Sequence, residues 1–209
     1  MSLRQEMAPA YDVGTMTAQI SDTLIFREQE FDLAAFNGEG LFDPEQHGLI
    51  PEAMSTSCYR GYWCTYEVVA ESLRLQELFI GLPAPVADAA RHGTGPALFE
   101  QPPVYSEELH CFTYRKLSAP VPFTGGILAA ADFIQELYVH MGFHPAWKFR
   151  RVHEWVFEQG TLVQTRDCSS EMALLREKLG NAPLRPRNPN DKQDVERWID
   201  ECFTRHYWR

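Results

Sequence analysis

The chain has 209 residues, of which 44% are hydrophobic and 12% aromatic, and its formal net charge is −10 at pH 7. This is enough apolar material for a packed core, which argues against disorder of the whole chain. The excess of acidic side chains repels phosphate backbones and argues against nucleic-acid binding, whereas it favours a basic protein partner. The alternative explanation is that the acidic charge only keeps a cytosolic protein soluble.

The sequence favours a cytoplasmic location without membrane association. No apolar run approaches the roughly 20 residues that span a bilayer, and the first residues lack the apolar stretch of a signal peptide. The cysteines are odd in number, scattered and never spaced as C-x-x-C, which is typical of reduced, mostly buried thiols. They are Cys58, Cys64, Cys111, Cys168 and Cys202.

The distribution of prolines and glycines predicts the domain organisation. Residues 1–18 have no periodicity and predict a flexible tail. Residues 19–180 predict one sheet-rich α+β body, in which the proline-rich segment 83–103 is either a boundary between two halves or an ordered excursion. Residues 181–209 predict an extended linker and a helix capped by Asn190, which we expect to pack on the body rather than in a partner's groove.

In chain order, the first predicted element is a hairpin in ISDTLIFREQEFDLAAF, which starts at Ile20. Apolar residues alternate with other residues on either side of the polar turn at residues 28–30. The following residues 37–53 are rich in glycine and proline and predict a loop.

The strongest pattern lies in residues 59–82, YRGYWCTYEVVAESLRLQELFIGL. Tyr62 and every second residue after it share one face of an extended strand, and a return strand follows the turn at residues 69–72. The β-branched and aromatic content favours strands over a helix. The alternation in the return strand fails at Leu78, which predicts a β-bulge or burial on both faces.

The second half predicts more strands and then a helix. VYSEELHCFTYRKL predicts a strand, and KFRRVHEWVFEQGTLVQTRD predicts a hairpin that turns at Gln159-Gly160. FTGGILAA favours a strand through Ala130, with a helix from Ala129 to Tyr138 as the alternative. Ser169 or Ser170 would cap the helix SSEMALLREKLG. The predicted fold class is therefore α+β: an antiparallel β-sheet meander with one or two C-terminal α-helices.

Two stretches, STSCYRGYWCTYEV and PFTGGILAAADFI…YVHMGF, resemble a group of bacterial proteins without assigned function. The shared order is a Ser/Thr-rich approach, R-G-Y plus an aromatic residue, a strand pair, an F-T-G-G-(I/L)-L segment and a V-H-M-G-F-like segment. The resemblance spans residues 20–165 and brings no catalytic motif with it. Small acidic bacterial proteins of this type are sometimes immunity partners of secreted toxins, so the resemblance implies a toxin as a candidate partner.

A group of aromatic and charged residues in the 59–82 hairpin forms the candidate binding site. An arginine among aromatic rings binds an anion, stacks on a ring or pairs with a nearby glutamate. Tryptophan, tyrosine and arginine are also enriched where proteins bind each other. The structural alternative is that the arginine closes the sheet edge and the rings fill the core. The group consists of Arg60, Tyr62, Trp63, Tyr66 and Glu67.

The patterns that carry metal, cofactor or nucleophile chemistry are incomplete. His140 and His144 have the spacing of metal ligands on a helix, but Gly142 lies between them and the glutamate of H-E-x-x-H is absent. FTGGIL lacks the pattern of a phosphate loop. His110 precedes Cys111 on a predicted strand, where neighbouring side chains point to opposite faces, so it cannot activate the thiol. We therefore expect no metal, no cofactor and no catalytic residue.

The leading functional prediction is a non-enzymatic, cytosolic protein-binding protein. Its specific form is an immunity protein that neutralises a basic toxin in a bacterium. One alternative is a structural homodimer joined by an exposed sheet edge or by the terminal helix. Another is a hydrolase-type enzyme, which requires at least three members of a five-residue set to converge in one deep pocket. That set is Arg60, Glu67, His140, His144 and His153.

Overall fold

The computed structural model describes residues 17–140, 142–179, 188 and 191–196. β-Strands are the main regular secondary structure of the described residues. The strands are β1 (Thr23–Phe26), β2 (Gln29–Glu39), β3 (Tyr62–Val69), β4 (Ser72–Ile80), β5 (Val104–Ser106), β6 (Cys111–Tyr114), β7 (Ala119–Pro120), β8 (Thr124–Phe133), β9 (Phe149–Glu158) and β10 (Thr161–Asp167). The helices are α1 (Ala84–Arg91) and α2 (Ser169–Leu179), with short 3-10 turns at Pro44–His47, Gln135–Leu137 and Ala146–Lys148.

Seven strands close into a barrel in the order β10-β9-β8-β2-β1-β3-β4, with β10 returning to β4 where Thr161 lies opposite Ser72. The predicted meander with C-terminal helices is therefore wrong as a fold class. β1 pairs with β3 in parallel, whereas the other strand pairs are antiparallel. One of these antiparallel pairs joins β2 to β8, which is distant in the sequence. Periodicity predicts which residues are extended, but it does not predict which distant strands pair.

One edge of β4 pairs with β3, and three different strands pair with successive parts of its other edge. β10 pairs with Ser72, β7 with Arg74 and Leu75, and β6 with the last residues of the strand from Leu78 to Ile80. This arrangement closes the barrel because each stretch of β4 has a neighbour on both sides over most of its length. It also leaves the contact between β10 and β4 short.

The predicted strand pair in residues 59–82 is confirmed as the β3–β4 hairpin. Its turn residues Ala70 and Glu71 both have positive φ, as in the tight turns that suit the twist of a hairpin. The predicted irregularity is a bulge: Thr65 lies opposite Glu77, but Tyr66 lies opposite Leu75, so Gln76 is the extra residue. The bulge restores the inward direction of Leu78, which is fully buried.

Large side chains fill the barrel interior. Leu24, Leu73, Leu75, Trp155 and Phe157 are at most 2% exposed and belong to one contiguous core. Burying side chains of this size contributes about 1.5–3 kcal/mol each. The interior is therefore a packed core, and the positions where another molecule could bind lie outside it or at its ends.

The proline-rich segment 83–103 contains α1 and packs onto the same core. Ala87 and Ala90 of α1 are buried, as is Leu98 in the loop that follows. Gly95 lies so close to Ala90 and Pro103 that an added Cβ would collide with both. The segment is thus an ordered connection between β4 and β5.

A second apolar cluster lies on the outer wall of the barrel. Leu128 and Ala130 of β8 face this cluster, whereas Ile127 and Ala129 face the interior, so β8 is buried on both faces. Met172 of α2 covers the outer face. The helix predicted over residues 169–180 is confirmed from Ser169 to Leu179. The predicted cap by Ser169 or Ser170 is wrong, because both lie inside the helix and the Ser169 hydroxyl accepts from the Val152 amide, whereas Asp167 accepts from the Ser169 amide.

Parts of the predicted organisation lie outside the described residues. These are the tail up to residue 16, most of the linker after residue 180 and the terminal helix beyond residue 196. Residues 192–196 are helical. No described helix combines the length and apolar character that a membrane crossing requires.

Candidate binding surfaces

The five residues of the predicted binding group lie in three different environments. Tyr66 points into the barrel and is 1% exposed. Tyr62 is half-buried at one end of the same core, and burial raises the pKa of its hydroxyl to about 12. Trp63 and Glu67 lie on the outer face of β3. The group is therefore not one continuous surface.

Arg60 is held by the barrel itself. Its Nη2 donates to Asp22 Oδ1 at 2.5 Å and its Nε donates to the Tyr62 carbonyl at 2.6 Å. The Cys64 amide also donates to Asp22 Oδ1, at 2.7 Å. The guanidinium carbon lies 4.7 Å from the centre of the Tyr62 ring. This geometry ties β3 to the segment before β1, in line with the structural alternative for Arg60.

Trp63 has neighbours of its own on the outer wall. Its ring stacks on Phe79 with centroids 4.8 Å apart and planes 7° from parallel. Arg115 lies over the same Phe79 ring at 5.9 Å and pairs with Glu77 at 3.7 Å. Glu67 is separate from this stack, since its carboxylate accepts a hydrogen bond from Gln76 Nε2 at 2.6 Å.

Glu67 lines a groove of about 580 Å³ at the end of the barrel where β10 leaves the wall. We call it the β10 groove. It is bounded by the β1–β2 turn (residues 26–28), the end of the β3–β4 hairpin (residues 67–71) and residues 162–165 of β10. Arg27 and Glu28 have positive φ, which makes the β1–β2 turn tight, like the β3–β4 turn.

The β10 groove combines acidic groups with exposed apolar side chains. Glu28, Glu67 and Glu71 supply three carboxylates against one guanidinium, Arg27, which lies 4.9 Å from the Phe26 ring. Two valines supply the apolar part: Val69 is 41% exposed and Val163 is 50% exposed. Such a surface is suited to a partner that is both basic and apolar.

The wall of the β10 groove contains an unpaired strand edge. The Leu162 amide donates to the Glu71 carbonyl at 2.7 Å, which is the last backbone bond from β10 toward β4. A register shift follows at Val163, and Gln164 and Thr165 pair with β9 and with no other described strand. An unpaired edge offers backbone donors and acceptors to another extended chain.

The five residues of the hydrolase alternative do not converge. Glu67 lies in the β10 groove, whereas His144 lines a separate cleft on the outer wall. Arg60 is bonded to Asp22, His140 is exposed beside Tyr138, and His153 packs edge-on against Phe31. The described residues therefore do not assemble the three-residue pocket that this alternative requires.

The described residues do not form a metal-binding cluster or a reactive thiol site. No three His, Cys, Asp or Glu side chains cluster there in a way that could hold a metal ion. His140 and His144 are not on a helix, since Gly142 between them has φ of 61°. Cys58, Cys64, Cys111 and Cys168 are free and buried, as predicted, and Cys202 lies outside the described residues. Burial raises the pKa of Cys111 and of Cys168 to about 11, so both remain thiols at neutral pH.

Glu28, Glu71 and Val163 are groove residues that sequence reasoning did not find. The turns that carry the two glutamates could be read from the alternation, but their meeting depends on the parallel pairing of β1 with β3. The chain matches no family model, no curated protein and no solved structure.

Proposed function

We propose that this is a non-enzymatic binding protein whose partner is a basic protein, and that the β10 groove is the contact surface. The observation that carries the proposal is the meeting of three carboxylates, two exposed valines and an unpaired strand edge in one groove. Each of these features is common alone. Together they suit one kind of occupant, an extended segment with alternating basic and apolar side chains.

In this proposal the segment adds to the edge of β10 as a further strand. Its backbone pairs with residues 163–165, its basic side chains meet Glu28, Glu67 and Glu71, and its apolar side chains cover Val69 and Val163. The net charge of −10 attracts a basic protein over a longer distance and raises its association rate.

The specific form of the proposal is a cytoplasmic immunity protein that neutralises a basic toxin. The acidic charge and the resemblance of residues 20–165 to small bacterial proteins support it. An immunity protein binds its toxin without chemistry of its own, which fits the dispersal of Arg60, His144 and Glu67.

A homodimer through the same edge is less favoured by charge. Two copies that met at the β10 groove would bring six glutamates together against two arginines. Among the described residues, β5 also ends the sheet, but it has only three residues, and short edge strands are a common means of avoiding association. Sedimentation of the purified chain at low and high salt measures this alternative directly.

The test uses a labelled peptide of alternating lysine and valine and fluorescence anisotropy. We expect binding that weakens with salt and falls about tenfold when Glu28, Glu67 and Glu71 are all changed to Gln. The matched control changes Glu100, Glu107 and Glu136 to Gln, which removes the same charge from exposed positions elsewhere.

Equal weakening in the two triple variants would show that net charge alone attracts the peptide, and the groove would be rejected. A peptide with N-methyl groups at alternate residues should bind less tightly, because it cannot complete the strand pairing. A natural partner captured by cross-linking should depend on the same three glutamates and not on the control set.

A further inference from the structure

A second cleft, of about 320 Å³, lies on the outer wall of the barrel, apart from the β10 groove. We call it the outer cleft. One side is the wall at the start of β1 and on β2, and the other side is the connection between β8 and β9. Its lining combines aromatic and aliphatic side chains with a few polar ones. The residues are Gln19, Ile20, Ser21, Thr23, Asp32, Leu33, Ala34, Phe133, Phe143, His144 and Phe149.

The aromatic side of the outer cleft is held in place from several directions. The Ile134 amide donates to the Lys148 carbonyl at 2.9 Å and joins the two ends of the β8–β9 connection. The Gln19 amide donates to the Gly142 carbonyl at 2.8 Å and fastens the connection to the segment before β1. The Phe133 ring contacts His144 with centroids 4.6 Å apart and Phe149 with centroids 5.2 Å apart.

The polar groups of the outer cleft have unused hydrogen-bonding capacity. Both ring nitrogens of His144 are shielded from solvent and have no hydrogen-bond partner among the described residues. Burial, aided by the positive charge of Lys148, lowers the pKa of His144 to about 4, so the ring is neutral at pH 7 and offers one donor and one acceptor. Asp32 accepts a hydrogen bond from Ser21 at 2.6 Å, and burial raises the pKa of its carboxyl.

The charges around the outer cleft favour a cation over an anion. Asp32 supplies the only formal charge among the lining side chains at pH 7. Arg60 lies 5.7 Å from the centre of the Phe143 ring, but its charge is matched by Asp22. Lys148 is near enough to lower the pKa of His144, yet it does not line the cleft and lies over the Trp147 ring.

We propose that the outer cleft binds a small organic ammonium compound with an apolar body. The ammonium group pairs with the Asp32 carboxylate and lies among the rings of Phe133, Phe143 and Phe149, since aromatic residues attract such cations. His144 also lines the cleft, and because its ring carries no charge, Asp32 is the charged side chain of the site. This inference is independent of the β10 groove.

The test is a calorimetric titration of the full chain with four small probes. Benzylammonium and benzyltrimethylammonium are the cations, benzyl alcohol is the neutral comparison and benzoate the anionic one. We expect the two cations to bind with a dissociation constant on the order of 1 mM. Benzyl alcohol and benzoate should bind at least about tenfold more weakly.

Asp32→Asn should weaken binding of both cations about tenfold, since it removes the charge but retains an acceptor for Ser21. Glu136→Gln is the matched control, because Glu136 is an exposed acid on the same β8–β9 connection and does not line the cleft. Phe143→Leu provides a second variant at a side chain that is 36% exposed, and it should weaken benzyltrimethylammonium severalfold.

Three outcomes would overturn the inference. If benzyl alcohol bound as tightly as the cations, the cleft would recognise only the apolar ring and not the positive charge. A preference for benzoate would assign it to anions through Lys148. No heat from either cation up to about 50 mM would remove the site, given the affinity expected for probes of this size.

Discussion

Asp22, which immediately precedes β1, and Asp32 of β2 lie side by side in one wall, where the Leu33 amide donates to the Asp22 carbonyl at 2.8 Å. Asp22 is fully occupied: it receives two donors from Arg60 and the amide of Cys64. Asp32 receives a hydrogen bond from Ser21 alone among the described residues. The comparison teaches that the number of internal partners, and not burial by itself, distinguishes a structural carboxylate from one that is available to a ligand.

The same distinction applies to two basic side chains near these carboxylates, Arg60 and His144. Arg60 was the leading binding candidate because of its aromatic neighbours, yet its donors are used inside the barrel. The sequence places His144 only in the incomplete metal pattern and in the less favoured enzyme alternative, yet both of its ring nitrogens lack a partner among the described residues. If the comparison is right, substitutions near Asp22 should affect folding and substitutions near Asp32 should affect binding.

The largest effect is expected from Arg60→Met. The variant leaves the Asp22 carboxylate, which is 8% exposed, without its charge partner. We expect the free energy of unfolding to fall by about 3 kcal/mol, measured by urea denaturation. Arg151→Met is the control, because its pair with Asp132 is exposed and should contribute less than about 1 kcal/mol. Similar losses in the two variants would contradict the structural role of Asp22.

The next largest effect is a pH dependence that belongs to His144. Its pKa is about 4 in the folded chain against an ordinary value of 6.5, so the unfolded chain takes up the proton first as the pH falls. Stability should therefore be lost between pH 6.5 and pH 4. Allowing for the partial exposure of the ring, this loss is about 2 kcal/mol.

His144→Gln should lack this part of the acid response. The measurement is urea denaturation of both proteins at several values from pH 7 to pH 4. If their stabilities stay parallel over that range, the His144 ring is not buried as a neutral group. His140→Gln is the control, because His140 is exposed on the same connection and should leave the acid response unchanged.

Local features of the fold were predictable because they depend on neighbouring residues. The β3–β4 hairpin, its bulge and the Gln159-Gly160 turn follow from alternation and turn residues. The helix from Ser169 was also found, although its predicted serine cap was wrong. The barrel was not predictable in this way. It depends on pairing between β2 and β8 and on one contact between Thr161 and Ser72, which no local pattern encodes.

The candidate sites were even less accessible to sequence reasoning. The predicted group placed Arg60 and Tyr66 in a binding surface, whereas the structure uses the first in an ion pair and the second in the core. Glu67 reaches a groove only because the barrel brings β10 beside it. Asp32 and His144 are more than a hundred residues apart and meet only because the β8–β9 connection folds back over β2.

Phe143→Leu tests the point where the two regions touch, since the ring lies against Arg60 and also lines the outer cleft. The side chain is partly exposed, so we expect the free energy of unfolding to fall by only about 1 kcal/mol. Binding of benzyltrimethylammonium should weaken severalfold in the same variant. A loss as large as that of Arg60→Met would instead make Phe143 a structural element of the Arg60 cluster.

The smallest change in stability, and the sharpest contrast with Asp22, is expected from Asp32→Asn. The pKa of the Asp32 carboxyl is raised by burial, so the folded chain favours the protonated form, and stability is lost as the pH rises through that pKa. At neutral pH the ionised group is therefore a cost to folding. Asparagine removes this cost, and we expect a gain on the order of 0.5 kcal/mol that disappears below the ordinary pKa of 3.8.

The gain should be accompanied by weaker binding of the ammonium probes. A substitution that stabilises the fold while it reduces binding identifies a group that is kept for its ligand. Asp22→Asn provides the counterpart, because it should lower stability through the loss of the ion pair with Arg60. If Asp32→Asn were as destabilising as Asp22→Asn, both carboxylates would be structural and the outer cleft would lose its charged group.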